Sequence, residues 1–298
     1  MHQPHELYRL VKLANGAHSV HSVADAETFH PVIGPVAEAE ALYVRQLRLL
    51  DRLRAHTGEF VIWDVGLGAA ANPLTVLRAA SQASCNLRLV SFDHTLEPLR
   101  FALEHAGRLG YVKGYEDQLR QLAERGRVCF RNGGQSVEWE LHLGDFPSLI
   151  GHWLSAGSAP RPPSPHAILF DAYSPAKNPA MWTLPLFAGL FQLLDPQRPC
   201  ALPTYSRSTM LRVSLLLAGF YVGAGHATGE KEETTLAANA LALIEEPLAE
   251  RWLQRVRQST SAEPLREPVY RQSRLSSASW EKLRRHPQFA GLGSISLG

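Results

Sequence analysis

Cysteine is scarce in this chain of 298 residues, and its three cysteines lie far apart. Cys85, Cys129 and Cys200 form no C-x-x-C pair, which argues against a disulfide framework and a structural zinc site. The N-terminal histidines also lack the paired spacing of metal ligands, so we expect no metal site. Few, unpaired cysteines are typical of a reducing compartment, and we expect a cytoplasmic location.

A long apolar run is missing as well. The longest apolar stretch, residues 213–224, is broken by Ser214 and Gly219 and is shorter than the roughly 20 residues that cross a bilayer. Residues 1–14 have neither the continuous apolar region nor the small-residue cleavage site of a signal peptide. These absences predict a soluble protein without a membrane partner.

The chain as a whole has no strong excess of positive or negative charge, because its formal net charge is +2. This balance neither requires nor excludes a nucleic-acid partner. Residues 251–298 differ, because they carry nine cations against three acids. Two interpretations of this segment stay open, a solvated helical surface and a tail that contacts phosphates.

The hydrophobic share of 45% allows a substantial core, and apolar strands alternate with helices between residues 55 and 246. This pattern predicts a doubly wound α/β domain with a mostly parallel sheet. The predicted strands are Phe60–Gly66, Leu87–Asp93, Val137–Gly144, His166–Tyr173, Cys200–Tyr205, Phe220–His226 and Glu233–Ile244. The predicted helices are Glu38–Arg54, Pro73–Ala83, Leu96–Leu109, Glu116–Arg125, Pro185–Leu194, Ser208–Ala218 and Ser279–Arg285. We predict three parts, a leading segment 1–54, the main domain 55–246 and a basic appendage 247–298.

Small residues follow the first strand of the main domain, in the stretch Asp64-Val65-Gly66-Leu67-Gly68-Ala69-Ala70-Ala71-Asn72. Ligands of doubly wound folds bind at the carboxyl ends of strands, where small residues let them approach the backbone. The pattern suits a nicotinamide dinucleotide, S-adenosylmethionine or a tight turn. Two features favour S-adenosylmethionine, because Asp64 could hold its ammonium group and the last glycine of the dinucleotide pattern is missing.

Two further carboxylates follow the next two strands. Asp93 ends the second strand, where its two oxygens can accept both hydroxyls of a ribose. Asp145 follows the next strand, where a polar side chain can bind the amino group of adenine. Each could instead cap a helix, but acids at successive strand ends favour nucleoside binding.

A fourth carboxylate, Asp171, ends the strand of the segment AILFDAYSPAKNPAMW and precedes the turn Tyr173-Ser174-Pro175. The position puts a carboxylate and a stiff, carbonyl-lined loop beside the methyl group of the cofactor. An amine must be neutral and aligned to attack a sulfonium, so it needs acceptors that orient it and take its proton. The segment therefore favours methyl transfer to nitrogen, with a turn and a capping aspartate as the structural alternative.

The string DAYSPAKNPAMWT resembles the signature of the tRNA 5-methylaminomethyl-2-thiouridine methyltransferases. Further stretches are similar to that family over most of the chain: FHPVIGPVAEAEALYV, WDVGLGAAAN, TYSRSTMLRVSLLLAGFYV and EPVYRQSRL. The resemblance implies a class I, Rossmann-like methyltransferase domain without the fused flavin oxidase of some members. It implies S-adenosylmethionine as cofactor and tRNA as partner. Whether a separate enzyme supplies the aminomethyl intermediate stays open in the sequence.

The implied reaction is methylation of 5-aminomethyl-2-thiouridine at the wobble position, with Asp171 as the catalytic residue. The resemblance places the cofactor on Asp64, Gly66, Gly68, Asn72, Asp93 and Asp145. It places the substrate on Tyr173, Pro175, Lys177, Asn178, Met181 and Trp182.

Two departures from the family pattern keep alternatives open. Ala69 and Ala70 replace the threonine and last glycine of G-x-G-T-G-x-N, and the acidic stretch GEKEETT (residues 229–235) replaces a basic one. One alternative is a methyltransferase that acts on a small amine or another nucleoside. The other is a non-catalytic scaffold that binds S-adenosylmethionine, against which the retention of all four aspartates counts.

Overall fold

The chain divides into two units in a computed structural model that describes residues 7–155, 160–229 and 232–289. The first unit comprises Met1–Phe146, Pro165–Asp171 and His226–Glu232. The second comprises Pro147–Ser164, Ala172–Gly225 and Glu233–Gly298. The units interleave along the chain, whereas the three predicted parts follow chain order, and those predicted boundaries stay predictions.

The first unit is built on a sheet of five strands: β4 (Glu59–Val65), β5 (Asn86–Asp93), β6 (Arg127–Asn132), β7 (Gln135–Leu143) and β8 (Ala167–Phe170). Their order is β8-β4-β5-β7-β6, with β4, β5, β7 and β8 parallel and β6 antiparallel to β7. Six consecutive residues of β4 are buried, as expected of a parallel strand covered on both faces. The predicted α/β fold with a mostly parallel sheet is confirmed.

The leading segment forms a small antiparallel sheet of β1 (Tyr8–Lys12), β2 (His18–Ser22) and β3 (Glu27–Thr28). It continues as α1 (Pro35–Ala39), a π-helical segment Glu40–Arg45 and α2 (Leu49–Ala55). The prediction of one helix over Glu38–Arg54 is wrong. The π-helical segment changes the helical phase, and Arg48, with a left-handed φ of 48°, separates it from α2.

The other helices of the first unit are α3 (Ala71–Ala80), α4 (Glu97–Glu104), α5 (Ala106–Leu109) and α6 (Glu116–Arg125). The helix predicted over Leu96–Leu109 is interrupted at His105, between α4 and α5. Strand β6 was missed, because its exposed edge carries polar residues that hide the apolar alternation. The helix α7 (Phe146–Ser155), which belongs to the second unit from Pro147 onward, was missed as well.

The second unit contains an antiparallel arrangement of β9 (Ala201–Thr204), β10 (Tyr221–Gly225), β11 (Thr234–Ala238) and β12 (Glu246–Pro247). Its helices are α8 (Leu184–Leu193), α9 (Thr209–Ala218), α10 (Glu250–Gln258) and α11 (Ser277–Leu283). The last predicted strand is wrong beyond Ala238, where the chain enters a 3-10 turn at Leu241–Leu243. Among all described residues, no helix combines the length and the apolar character that crossing a membrane would need.

The predicted appendage contributes to the core of the second unit. Its missed helix α10 buries Trp252, Leu253 and Val256. Further along the chain, buried side chains include Leu265, Leu283 and Phe289. The side chain of Gln288 bonds both the backbone nitrogen and oxygen of Val222, each at 2.8 Å. The nine cations themselves stay exposed.

The acidic stretch near residue 233 has a partner within the same unit. Arg212 is buried, and its guanidinium donates to Glu233 Oε1 at 3.0 Å, Thr235 Oγ1 at 3.0 Å and the Thr234 carbonyl at 2.7 Å. Burial lowers the pKa of Arg212, and the Glu233 charge opposes that shift. One of the unexpected acids therefore compensates a buried cation.

Candidate active site

Four aspartates lie at the carboxyl ends of the parallel strands of the first unit. The strand register aligns Val65 of β4 with Phe92 of β5 and Phe170 of β8, so these strands end at one level. Asp93 is the last residue of β5 and Asp171 directly follows β8, while Asp145 lies two residues beyond β7. The sheet thus brings these predicted site residues to the same edge, as the strand pattern indicated.

The loop between β4 and α3 is folded tightly against the end of β5. Gly66 N and Leu67 N donate to the Phe92 carbonyl at 3.0 and 3.2 Å, and Gly68 N donates to Asp93 Oδ2 at 2.8 Å. Gly68 has a left-handed φ of 52°, and a Cβ there would lie 3.4 Å from the ring of Phe29. The backbone angle favours a glycine here, whereas a Cβ would make an ordinary contact with that ring.

Asp93 holds this loop in place. Besides Gly68, its carboxylate accepts from Thr95 N at 3.2 Å and lies 3.2 Å from His94 Nδ1. The hydrogen bond to Asp93 raises the pKa of His94. A carboxylate offers about four acceptor sites, so these three contacts leave about one site for a ribose hydroxyl. Asp93 can therefore both shape the loop and bind a nucleoside.

Asp64 is fully buried in β4. Its Oδ2 accepts from Ser91 Oγ at 2.7 Å, and Ser91 in turn accepts from Trp139 Nε1 at 2.9 Å. Burial raises the pKa of Asp64 to about 7, with smaller contributions from the charges of Asp171 and Asp93 and an opposing one from the Ser91 bond. Among the described residues its Oδ1 has no hydrogen-bond partner. A cationic donor such as the ammonium group of S-adenosylmethionine would satisfy that oxygen, so the site fits the cofactor.

Asn72 joins the cofactor loop to the end of β8. It is the second residue of α3, is buried, and donates from Nδ2 to Asp171 Oδ2 at 2.7 Å. Its own Oδ1 is a second buried oxygen for which the described part of the chain provides no donor. The backbone nitrogen of Asp171 donates to the Val65 carbonyl at 3.0 Å, which ties the aspartate to β4 as well.

Two residues of this site were missed by sequence reasoning. His30 Nε2 lies 3.5 Å from Asp171 Oδ2, and His30 Nδ1 lies 3.6 Å from Glu38 Oε1. The three ligand-type atoms are within 4.8 Å of one another, which is close enough for a metal ion, so the expected absence of a metal stays a prediction. Both residues lie inside the quoted stretch FHPVIGPVAEAEALYV, but nothing in its spacing indicated contact with Asp171.

Asp145 is exposed and directly precedes α7, so its binding to adenine stays a prediction. The six predicted substrate residues lie in the second unit. There Trp182 Nε1 donates to the Tyr173 carbonyl at 2.7 Å, and Lys177 N and Asn178 N donate to the Ser174 carbonyl at 2.9 and 2.8 Å.

These bonds fold the segment 173–182 into a closed turn. Lys177 is exposed, while Tyr173, Pro175 and Asn178 are half-buried. Met181 and Trp182 are buried, so the structure shows them shaping the turn, and their contact with substrate stays a prediction.

Comparison with known proteins supports the resemblance seen in the sequence. Residues 115–240 match the model of a family described as S-adenosyl-L-methionine-dependent methyltransferase. The tRNA 5-methylaminomethyl-2-thiouridine biosynthesis bifunctional protein MnmC of Aeromonas hydrophila is 31% identical over 215 residues, which are 66% of this chain and 30% of that protein. Its counterpart in Cupriavidus metallidurans is 28% identical over 222 residues, 71% of this chain and 31% of that protein.

The fold has a close match among solved structures. MnmC2 from Aquifex aeolicus superimposes with a TM-score of 0.66 at 21% sequence identity, over 96% of this chain and 85% of that one. The family match defines an S-adenosylmethionine-dependent methyltransferase, and the fold is the class I, Rossmann-like one. Within that class the chain is related to the MnmC proteins, and it spans about a third of the length of the curated relatives it matches. The predicted family resemblance, enzyme class and cofactor are confirmed.

The altered cofactor loop yields a test of backbone strain. Ala70, at the position of the family's last glycine, keeps a left-handed φ of 62°. That conformation costs an alanine roughly 1–2 kcal/mol. We expect Ala70→Gly to be less destabilising than Ala69→Gly by about this amount, because only the first substitution relieves a left-handed conformation. Both alanines are buried, but Ala69 has no positive φ. Urea unfolding of both variants measures the difference, and equal losses would contradict strain at Ala70.

The pKa of Asp64 predicts a pH dependence of stability. Because its folded-state pKa of about 7 lies above the unfolded value, its favourable contribution is complete below about pH 4 and is lost as the pH rises through 7. The free energy of unfolding of the wild type should therefore fall relative to that of Asp64→Asn between pH 4 and 7, by at most about 1.4 kcal/mol per pH unit. Asp117→Asn, on an exposed carboxylate, is the matched control. Parallel curves for wild type and Asp64→Asn would rule out the raised pKa.

Proposed function

We propose that this chain methylates the exocyclic amine of 5-aminomethyl-2-thiouridine at the wobble position of a cytoplasmic tRNA. The observation that carries the proposal is the hydrogen bond from Asn72, in the cofactor loop, to Asp171 at the end of β8. It joins the segment expected to hold the methyl donor to the carboxylate expected to orient the acceptor. The names of the curated relatives supply the nucleoside.

Bound S-adenosylmethionine supplies a methyl group activated on a sulfonium. Transfer of that group would exchange its carbon–sulfur bond for a carbon–nitrogen bond. It would leave S-adenosylhomocysteine and a secondary ammonium, which would then lose a proton. The chain's part is to present a neutral amine in line with the breaking bond. Asp171 is the carboxylate that would accept a hydrogen bond from the amine and receive a proton from it.

The cofactor would be held by residues of the first unit. Asp64 Oδ1 and Asn72 Oδ1 are buried acceptors that suit its ammonium group. The turn containing Gly66 and Gly68 would carry the backbone contacts, Asp93 the ribose and the exposed Asp145 the adenine. This assignment follows the burial of each carboxylate. The most buried one, Asp64, would bind the positively charged ammonium group, and the exposed Asp145 would bind the neutral amino group of adenine.

The substrate would be bound by the turn 173–182 and the basic C-terminal segment. Four solvent-accessible residues of the turn would contact the substrate: Tyr173, Pro175, Lys177 and Asn178. Met181 and Trp182 are buried and would stabilise the turn. A separate enzyme would supply the aminomethyl group. On the C-terminal segment the exposed aromatic Tyr270 is followed by the exposed Arg271 and Arg274, a combination that suits stacking with bases and contact with phosphates.

Asp171→Asn tests the chemistry. The substitution keeps the shape and one oxygen acceptor but removes the charge, so we expect kcat to fall about 100-fold or more while the affinity for S-adenosylmethionine barely changes. Single-turnover methylation of tRNA carrying 5-aminomethyl-2-thiouridine gives the rate, and calorimetry gives the affinity.

Asp195→Asn, on another half-buried aspartate that bonds a backbone nitrogen, is the matched control and should keep the wild-type rate. A wild-type rate in Asp171→Asn would remove the catalytic assignment. Preference of the wild type for free amines or nucleosides over tRNA would favour the small-substrate alternative. Binding of S-adenosylmethionine without any transfer would favour the scaffold.

The C-terminal cations predict salt-dependent tRNA binding. Deleting residues 251–298 would remove core side chains of the second unit, so a charge variant is the sharper test. Arg271→Gln combined with Arg274→Gln should reduce the slope of log Kd against log salt by about 0.7 for each phosphate that the variant no longer neutralises, because fewer counterions are released.

The control for that variant is Arg120→Gln, on an exposed arginine of α6 that pairs with Asp117. Cofactor affinity should be unchanged in both variants. An unchanged slope in the double variant would leave these arginines as solvated surface.

A further inference from the structure

We propose that His30 is a positioning residue for Asp171, the carboxylate that orients the acceptor amine. In this proposal Glu38 contacts the other nitrogen of the His30 ring and orients the ring. The inference rests on the proposed function, since it assigns a task within that site. Its basis is the chain of contacts Glu38–His30–Asp171, which links the segment 30–38 to a residue more than 130 positions further along the chain.

The imidazole lies between two carboxylates. His30 Nε2 is 3.5 Å from Asp171 Oδ2, and Nδ1 is 3.6 Å from Glu38 Oε1. The side chains of His30 and Glu38 are each 8% exposed and that of Asp171 is 16% exposed, so solvent screens these contacts weakly. Within this arrangement Glu38 orients the ring, and the ring presents its other nitrogen to Asp171.

Asn72 and His30 approach the same oxygen of Asp171 from two different elements. Asn72 Nδ2, at the start of α3, is 2.7 Å from Oδ2, and His30 Nε2 comes from the loop before α1. Two contacts from different directions restrict rotation of the carboxylate more than one does. Orientation matters here because a misplacement of about 1 Å in a reacting group can cost 100-fold in rate.

The loop that carries His30 is itself fixed. Phe29 N donates to the Val20 carbonyl at 2.8 Å, Ser19 Oγ bonds the Phe29 carbonyl, and Asn15 Nδ2 donates to the Ile33 carbonyl at 2.9 Å. These bonds hold His30 in a left-handed conformation, with φ of 49°. A non-glycine residue adopts this conformation at an energetic cost, and such residues cluster at functional sites. The ring of Phe29 also lies against Gly68, so the same loop contacts the cofactor turn.

The test compares His30→Asn, His30→Gln and His21→Asn in the full chain. Asparagine tolerates a positive φ but is too short to replace the imidazole, so it isolates the side-chain contact from the backbone. We expect His30→Asn to lower kcat about 10- to 100-fold, with KM for tRNA and the Kd of S-adenosylmethionine changed less than twofold. His30→Gln retains a donor of similar reach and should recover part of the rate.

His21→Asn is the matched control, because His21 is a half-buried histidine of β2 that contacts Thr28 rather than Asp171. It should keep the wild-type kcat. In a double-mutant cycle, adding His30→Asn to Asp171→Asn should lower kcat little further, because His30 acts through Asp171. A wild-type kcat in His30→Asn, or independent effects in the cycle, would overturn the proposal while leaving the proposed function intact.

A wild type that methylates no tRNA would instead overturn the proposed function. The contact between His30 and Asp171 is then tested by measuring the urea unfolding midpoints of the same two single variants and the double variant. If the two side chains contact each other, the shifts in midpoint should be non-additive. Additive shifts would show that His30 does not hold Asp171.

Discussion

The parallel register of β4 between β5 and β8 is the constraint on which the site depends. It brings the end of β4 level with the residues that precede Asp93 and Asp171, so both carboxylates flank the loop that leaves β4. Because that loop is bonded to β5 through Phe92 and Asp93, the start of α3 is fixed as well. The fixed start of α3 places Asn72 within hydrogen-bond distance of Asp171.

Gathering several carboxylates at one sheet edge creates repulsion that the chain must offset. Each aspartate meets this cost differently. Asp64 is fully buried, and this burial, with the charges of Asp171 and Asp93, raises its pKa to about 7. Part of its population is therefore neutral at physiological pH. Asp93 is surrounded by backbone N–H donors, and Asp171 faces Asn72 and His30. A cationic cofactor would complete this compensation, which explains why the edge suits a sulfonium compound with an ammonium group.

The part of the site that could be predicted from the sequence is the part encoded locally. Asp93 and Asp171 each end an apolar strand, and an apolar run followed by an acid is visible in the sequence alone. His30 was not predictable, because its contact with Asp171 spans more than 130 positions and follows from a fold that periodicity cannot specify. Glu38 was missed with it, because Glu38 contacts His30. The fold shows the same division, since buried strands such as β4 were found and the polar edge strand β6 was not.

The altered cofactor loop bears on whether the chain is an enzyme or a scaffold. Ala70 replaces the glycine of the family pattern, yet the chain keeps the left-handed backbone that a glycine would adopt there. The buried core around it, in which Ala70 itself is inaccessible, imposes that conformation and outweighs a cost of roughly 1–2 kcal/mol. The left-handed conformation of Ala70 therefore raises the energy of the loop. Because Gly68 bonds Asp93 and Asn72 bonds Asp171 with Ala70 in place, the alanine leaves the contacts of the candidate site intact and gives no support to the scaffold alternative.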